Sequence, residues 1–367
     1  MVFQKADYHW MAKAIRLAEK GRYSTSPNPN VGCVIVKDGQ LIAEGWHEKA
    51  GEAHAEVNAI THAQADVSKA VCYVTLEPCC HTGKTGPCVE ALINAGVSKV
   101  IIAMKDPNPL VAGQGIKALR QAGIEVLTGL LETQARQLNP GFIKRMETGL
   151  PFVRIKMGCS IDGRIALHNG KSQWITSMEA RRDVQHYRAL SSAVMTGINT
   201  VLADNPSLNI RGIDCKGRQV KRVILDSQLQ MPVDATMLEL EGDTLIFTVV
   251  ADADKKQQQH NARVIRIDTD EQSVPLLPCL QYLAQHEGIT DVLLEAGPTL
   301  SGAFIQAGLV DEMILYQSGK ILGGQSKCLF DLPMFDELEQ APEYEFTEVR
   351  MIGSNVRLTL KPVQEER

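Results

Sequence analysis

The sequence lacks any long apolar run. Its longest hydrophobic stretches fall well short of the ~18 to 20 residues that a membrane helix needs, and Met1–Asp7 shows no apolar core of a secretory signal. A cytoplasmic protein without a membrane partner is expected. An excess of positive charge is also missing: 38 Lys and Arg stand against 43 Asp and Glu, a formal net charge of -5. Such a balance gives no general attraction to phosphate backbones or anionic lipid, so nucleic acid is not an expected partner. Nor is there an even cysteine framework. The nine cysteines are scattered, and only Cys79, Cys80 and Cys88 cluster, which in a reducing compartment points to metal or catalysis rather than disulfides. No fixed-period repeat is evident, which disfavours solenoids and propellers. The Gly-x-Gly-x-x-Gly fingerprint is absent, which argues against a Rossmann dinucleotide site.

What is present is ordinary soluble composition. Over 367 residues, 44% are hydrophobic and 22% charged, enough for two folded domains with real cores. Met11, Ala14, Ile15 and Ala18 recur at helical spacing before Gly21. Two short apolar runs, 32–36 and 41–43, flank Asp38-Gly39 and read as a β-hairpin. A helix is expected over 54–65, a strand over 70–76, a helix over 89–95 and a strand over 100–103. After the polar break Glu147-Thr148-Gly149-Leu150-Pro151 the alternation restarts, giving domains of 1–147 and 151–367. Later strands are expected over 152–157, 193–196, 222–225, 244–250, 264–267, 292–295 and 313–316, and residues 252–260 read as a solvated loop. Strands alternating with helices imply an α/β class whose mostly parallel sheets are covered on both faces.

The sharpest chemical signal is His54-Ala55-Glu56, then Glu77-Pro78-Cys79, then Cys88. Zinc takes imidazole and thiolate, and a catalytic site keeps three protein ligands so that a water whose pKa falls to ~7 can occupy the fourth position. His54, Cys79 and Cys88 form such a set, with Cys80 and His81 as rival ligands. Glu56 is placed to take the water's proton and hand it to departing ammonia. Residues i and i+2 diverge in mid-helix, so His54 and Glu56 can converge only in a first turn. Cys88 follows Gly86-Pro87 and should likewise open a helix, a position that favours thiolate.

This pattern resembles the zinc-dependent cytidine deaminase superfamily. The long interval from Cys79 to Cys88 departs from that family's short Pro-Cys-x-x-Cys spacing. Together with Asn28-Pro29-Asn30-Val31-Gly32 and Asp106-Pro107-Asn108-Pro109, it resembles the deaminase half of the bifunctional riboflavin-biosynthesis deaminase/reductase family. That family usually has serine where this chain has Cys80. The resemblance implies that Asn28, His47, His81, Asp106 and Asn108 surround an aminopyrimidine and its ribose, with Lys84 on the phosphate.

In the second half, Val292-Leu293-Leu294-Glu295 runs into Ala296-Gly297-Pro298, a strand leading to a helix start whose free N–H groups suit a phosphate. Stretches 156–166, 172–177, 203–208, 295–302 and 320–324 resemble the reductase half of the same family, which is similar in fold to dihydrofolate reductase. The resemblance thus implies an N-terminal cytidine deaminase-like α/β/α domain and a C-terminal dihydrofolate reductase-like α/β domain, with Zn2+ and NADPH as cofactors. It places NADPH on Gly158, Trp174, Thr200, Asp204, Ser227 and on Gly297, Pro298, Thr299, Leu300, Ser301, Gly302 and Ala303. It places substrate on Lys156, Ser172, Arg188, Leu208, Arg211 and Glu295. Arg188 and Arg211 can fork onto phosphate oxygens, although a buried arginine paired with a carboxylate is the plain reading of Arg188.

The implied activity is hydrolytic deamination of 2,5-diamino-6-(ribosylamino)pyrimidin-4-one 5′-phosphate followed by NADPH-dependent reduction of the ribosyl chain to ribityl, in a homodimer or higher homo-oligomer. Two other classes stand beside it. One is a nucleoside or RNA-base deaminase whose second domain only binds; the other is an interaction protein whose zinc is fully enclosed by four protein ligands.

Overall fold

Residues 33–36, 72–76 and 100–104 are buried throughout, as strands covered by helices on both faces must be. The computed structural model describes residues 3–80, 86–109, 111–251 and 262–363. The expected loop over 252–260 and two expected site residues, His81 and Lys84, lie outside them. The chain divides into two units: one runs to Leu150 and takes in Asp214–Arg218, and the other comprises Pro151–Ile213 and the chain from Gln219 onward.

In the first unit α1 (Lys5–Ala18), β1 (Gly32–Lys37), β2 (Gln40–Trp46), α2 (Ala55–Thr61), β3 (Val71–Leu76), α3 (Cys88–Asn94), β4 (Lys99–Met104), α4 (Gln114–Gln121), β5 (Glu125–Thr128), α5 (Glu132–Gln137) and α6 (Pro140–Thr148) follow in order. The sheet order is β2-β1-β3-β4-β5. β3, β4 and β5 are parallel, whereas β1 runs antiparallel to both neighbours, so this sheet is mixed rather than mostly parallel. The hairpin at Asp38-Gly39 is the reason, since a tight turn joins only antiparallel strands. The helix expected over 54–65 is shorter: His54 is its N-cap in extended conformation, and it ends at Thr61.

Two glycines set how closely helices approach this sheet. A Cβ on Gly32 would lie 2.0 Å from the Ala14 carbonyl oxygen of α1, and one on Gly45 would lie 2.4 Å from the Ala59 nitrogen and 2.6 Å from the Ala55 oxygen of α2. Gly32 pairs with Trp46 and Gly45 with Cys33, so the two glycines face opposite sides and the unit is a three-layer α/β/α sandwich. Met11, Ala14, Cys33, Ile35, Ala59, Cys72, Leu92 and Ile101 belong to its core.

The second unit contains β6 (Phe152–Ser160), β7 (Arg164–Ala166), α7 (Met178–Leu190), β8 (Ala193–Gly197), α8 (Ile198–Asp204), β9 (Lys221–Leu225), β10 (Thr244–Thr248), β11 (Ala262–Arg266), α9 (Leu276–His286), β12 (Asp291–Leu294), α10 (Pro298–Gln306), β13 (Glu312–Ser318), β14 (Lys327–Cys328), β15 (Tyr344–Ile352) and β16 (Asn355–Pro362). Its nine-stranded sheet has the order β11-β10-β9-β8-β12-β6-β13-β16-β15. The strands from β11 to β13 are parallel, and the β15–β16 hairpin adds an antiparallel edge. The strand expected over 244–250 stops at Thr248. The edge hairpin escapes a periodic reading because β15 has no buried residue and its register shifts between Phe346 and Glu348.

Gly45→Ala should force α2, with His54 at its start, off the sheet. A loss of ~1 to 3 kcal/mol is expected from such overpacking, read as a lower melting temperature of the first unit; unchanged melting would contradict this close approach.

Candidate active site

A cavity of about 520 Å³ opens in the first unit, lined among others by Asn28, His47, His54, Glu56, Glu77, Cys79, Asp106 and Asn108. Each comes from the end of an element. His54 caps α2, and its extended backbone (ψ 170°) swings the imidazole off the helix axis. Glu56 follows in the first turn and is 3% exposed. Cys79 lies in the segment after β3, and Cys88 is the first residue of α3 behind the cap Pro87. The two ends of the long interval between the cysteines therefore return to one place.

Cys79 Sγ is 3.6 Å and Cys88 Sγ 3.3 Å from His54 Nδ1, and the three atoms lie within 4.8 Å of one another. Zinc bonds of ~2.1 Å to nitrogen and ~2.3 Å to sulfur at the tetrahedral angle set N and S ~3.5 Å apart. The donor set fits zinc in both chemistry and spacing. Cys80 is half-buried against the apolar core and is not among the converging atoms.

The two thiols interact electrostatically. The Cys88 side chain hydrogen-bonds Cys79 and, with His54 and the Cys88 backbone N–H, pulls the Cys79 thiol down to about 4 against the opposing effect of burial. The same bond pushes Cys88 up. Two thiols competing for one proton beside an imidazole is the situation a divalent cation relieves. Burial raises the Glu56 carboxyl from 4.5 to about 6, with His54 pulling the other way.

Hydrogen-bond polarity is settled at His47, whose ring packs edge-on against that of His54 with centroids 5.1 Å apart. His47 Nδ1 lies 3.1 Å from the Ala53 carbonyl oxygen and must donate to it, which leaves Nε2 to accept from the Asn28 Nδ2 amide at 3.2 Å. Burial lowers the His47 pKa and keeps this neutral arrangement. The Asn28 amide is thereby oriented, with its oxygen as the group not used by His47. Asn30 and Asn139 exchange backbone and side-chain bonds that anchor this loop beside α6, from which Phe142 reaches the cavity. Sequence reasoning missed Asn139 and Phe142; the signal that could have found the segment is the Asn139-Pro140 step at which α6 begins.

In the second unit several of the expected residues lie on or after the carboxyl halves of parallel strands: Lys156 and Gly158 on β6, Thr200 and Asp204 on α8 after β8, Ser227 after β9, and Glu295 with 297–303 after β12. That is where an open α/β sheet leaves room for a ligand. Glu295 accepts from Arg188 Nε at 2.6 Å and Nη2 at 3.1 Å, and Lys156 Nζ lies 3.1 Å away. Burial would raise the Glu295 carboxyl, but Arg188 and Lys156 outweigh it and hold the group at about 2. Arg188 also donates to the Asn209 carbonyl and is buried, so its guanidinium is committed within the protein.

Arg211 is exposed, while Leu208 is buried in the core with a left-handed φ of 46°. Trp174 is largely exposed with the Arg181 guanidinium 4.1 Å from its ring, and Ser172 beside it is half-buried. Ser227 Oγ accepts the Val274 N–H.

The start of α10 fits a cofactor phosphate. Gly297 caps it without a side-chain bond, and a Cβ there would meet nothing within 4 Å. Further along, Ser301 and Gly302 are buried, and a Cβ on Gly302 would lie 2.0 Å from the Asp331 oxygen. Those two residues are packing positions. A hollow of about 690 Å³ near the starts of β9 to β11 contains none of the expected residues.

Residues 4–104 match the cytidine and deoxycytidylate deaminase zinc-binding region, and residues 151–358 match the RibD C-terminal domain. The riboflavin biosynthesis protein RibD of Escherichia coli is 45% identical, the alignment covering 96% of this chain and 99% of that protein. The chain belongs to the RibD family. Acinetobacter baumannii RibD superposes with a TM-score of 0.92 at 47% identity over 98% of this chain and 99% of that one. A Thermotoga maritima structure, described as a diaminohydroxyphosphoribosylaminopyrimidine deaminase/5-amino-6-(5-phosphoribosylamino)uracil reductase, has a TM-score of 0.85 at 34% identity, covering 98% of this chain and 99% of that one.

RibD membership makes this a bifunctional enzyme of riboflavin biosynthesis acting on a phosphorylated aminopyrimidine, with a zinc deaminase domain and an NADPH-dependent reductase domain of dihydrofolate reductase type. It removes the reading in which the second domain only binds. Among the described residues no helix is long and apolar enough to cross a membrane.

Metal analysis tests the ligand set. Wild type and Cys80→Ser should each carry one zinc per chain, whereas Cys79→Ser and Cys88→Ser should lose most of it. Retention by Cys79→Ser with loss by Cys80→Ser would reverse the assignment.

Proposed function

We propose that the first unit deaminates the diaminopyrimidine ribosyl phosphate and that the second reduces the ribosyl chain of its product to ribityl. The observation that carries the first half is the buried Glu56 carboxyl in the same cavity as three convergent zinc donors. His54 Nδ1, Cys79 Sγ and Cys88 Sγ would hold the metal, which supplies an electrophile able to bring a water's pKa to ~7. Glu56 takes a proton from the attacking water and returns it to the departing amino nitrogen, so that water adds and ammonia leaves with no net proton change at the carboxyl group. Burial suits it to both roles, because a carboxyl raised to about 6 exchanges protons readily near neutral pH. Asn28, His47, Asp106 and Asn108 offer hydrogen-bonding groups in the same cavity and fix the ring's orientation. His81 and Lys84 are proposed for the ribose and its phosphate.

For the second half, NADPH supplies the hydride, and α10's start with Gly158 and Trp174 would seat it. Lys156, held 3.1 Å from Glu295, would serve as the proton donor. Arg188 orients Glu295 and is already spent there, so the phosphate of the substrate falls to Arg211, which is exposed.

A homodimer is proposed as the working form. The edge strand β15 exposes Phe346, Val349 and Met351 at 63%, 65% and 64%, an apolar edge that a second copy would cover. The cytoplasm is the proposed location, supported by nine free cysteines.

Glu56→Gln should abolish ammonia release while the same preparation still oxidises NADPH on supplied deaminated product. Deamination surviving in that variant would refute the proton relay. Light scattering should return twice the chain mass; a monomer mass across the working concentration range would rule out the dimer.

A further inference from the structure

Glu77 has none of the roles assigned above, yet it is 3% exposed and lines the deaminase cavity. It stands directly after β3 and two residues before Cys79. Its Oε2 accepts the backbone N–H groups of Asp106 at 3.2 Å and Gly113 at 2.9 Å, and its Oε1 accepts that of Ile116 at 3.1 Å. Gly113 is the cap of α4 and Ile116 its third residue, and glycine brings no side chain of its own to the helix start. A side chain from another strand end supplies the missing cap.

Packing fixes the same junction. A Cβ on Gly115 would lie 2.1 Å from the Pro78 carbonyl oxygen and 3.3 Å from Glu77 Cγ, so the first turn of α4 rests on the Glu77-Pro78 step. The Glu77 N–H donates to the Met104 oxygen at 3.0 Å, joining the ends of β3 and β4. Between Met104 and Gly113 runs the loop bearing Asp106 and Asn108, and the Asn108 N–H closes on Asp106 Oδ1 at 2.8 Å. One carboxyl group thus grips both ends of the substrate-side loop from a point two residues away from a metal ligand.

We propose that Glu77 is a positioning residue for deamination, which holds the Asp106–Asn108 wall at a set spacing from Cys79 so that the pyrimidine ring meets the metal centre in one register. This rests on the reading of the cavity given above. Glu77 acts through the loop; its own oxygens are occupied by backbone donors.

The test uses full-length, zinc-loaded Glu77→Gln and Glu77→Ala. In Glu77→Gln an amide NH2 must confront backbone donors at one of the two oxygen positions. The KM for ammonia release should rise about tenfold, the effect of one lost hydrogen bond to a charged group, with kcat changed by less than about threefold. Zinc should stay at one per chain, and hydrogen exchange at the amides of residues 106, 113 and 116 should quicken without substrate. A wild-type KM despite faster exchange would overturn the proposal and leave Glu77 a helix cap alone. Loss of zinc would also overturn it, by moving the effect to the metal. Should Glu77→Ala fail to fold, Glu77→Gln alone decides. No ammonia release from wild type would bring down the cavity reading itself, and this proposal with it.

Discussion

Three atoms able to bind a metal, from three separate stretches of chain, meet at one point in the first unit. Two thiols and an imidazole come within 4.8 Å, and the bond between the thiols draws Cys79 down while it pushes Cys88 up. Each donor sits at an element end: His54 at the cap of α2, Cys88 at the start of α3, and Cys79 just beyond β3. The Cys88 N–H also points to Cys79 Sγ at 3.4 Å, so backbone as well as side chains hold the sulfur in place. Glycine at position 45 lets α2 lie against the sheet, which is what brings His54 and Glu56 down to the cavity floor.

The second unit solves a different electrostatic problem. A carboxyl group as buried as Glu295 would ordinarily hold its proton, and a single cation at surface dielectric would hardly change that. Arg188 forks onto both oxygens and Lys156 adds a second positive charge, and together they outweigh the burial. The result is a fixed negative charge beside a lysine near the ends of parallel strands. The cost of burying Arg188 is met by Glu295 and the Asn209 carbonyl.

Much of the first unit was legible in the sequence. His54, Glu56, Cys79 and Cys88 carry residue types and spacings that few other chemistries require, and the tight Asp38-Gly39 turn declares its hairpin. α4 was not legible: it begins after a glycine and lacks any side-chain cap of its own, because its cap is Glu77, far away in the chain. Asn139 and Phe142 were equally hidden, since their partners lie more than a hundred residues upstream or across the cavity. The β15–β16 hairpin escaped because an exposed edge strand has no buried alternation and a bulge breaks its parity.

The sequence by itself determined the chemical inventory: an imidazole, thiolates and a carboxyl at one set of intervals, a polar break before Pro151, and glycines after a strand in the second half. Only the tertiary structure decided which sulfur joins the cluster, which nitrogen of His54 faces it, and that Arg188 serves Glu295 rather than standing open to solvent. Residue types and short intervals are local properties that a chain states outright. Which atoms end up a few ångströms apart depends on how separate strands and helices pack, and that is a property of the folded whole.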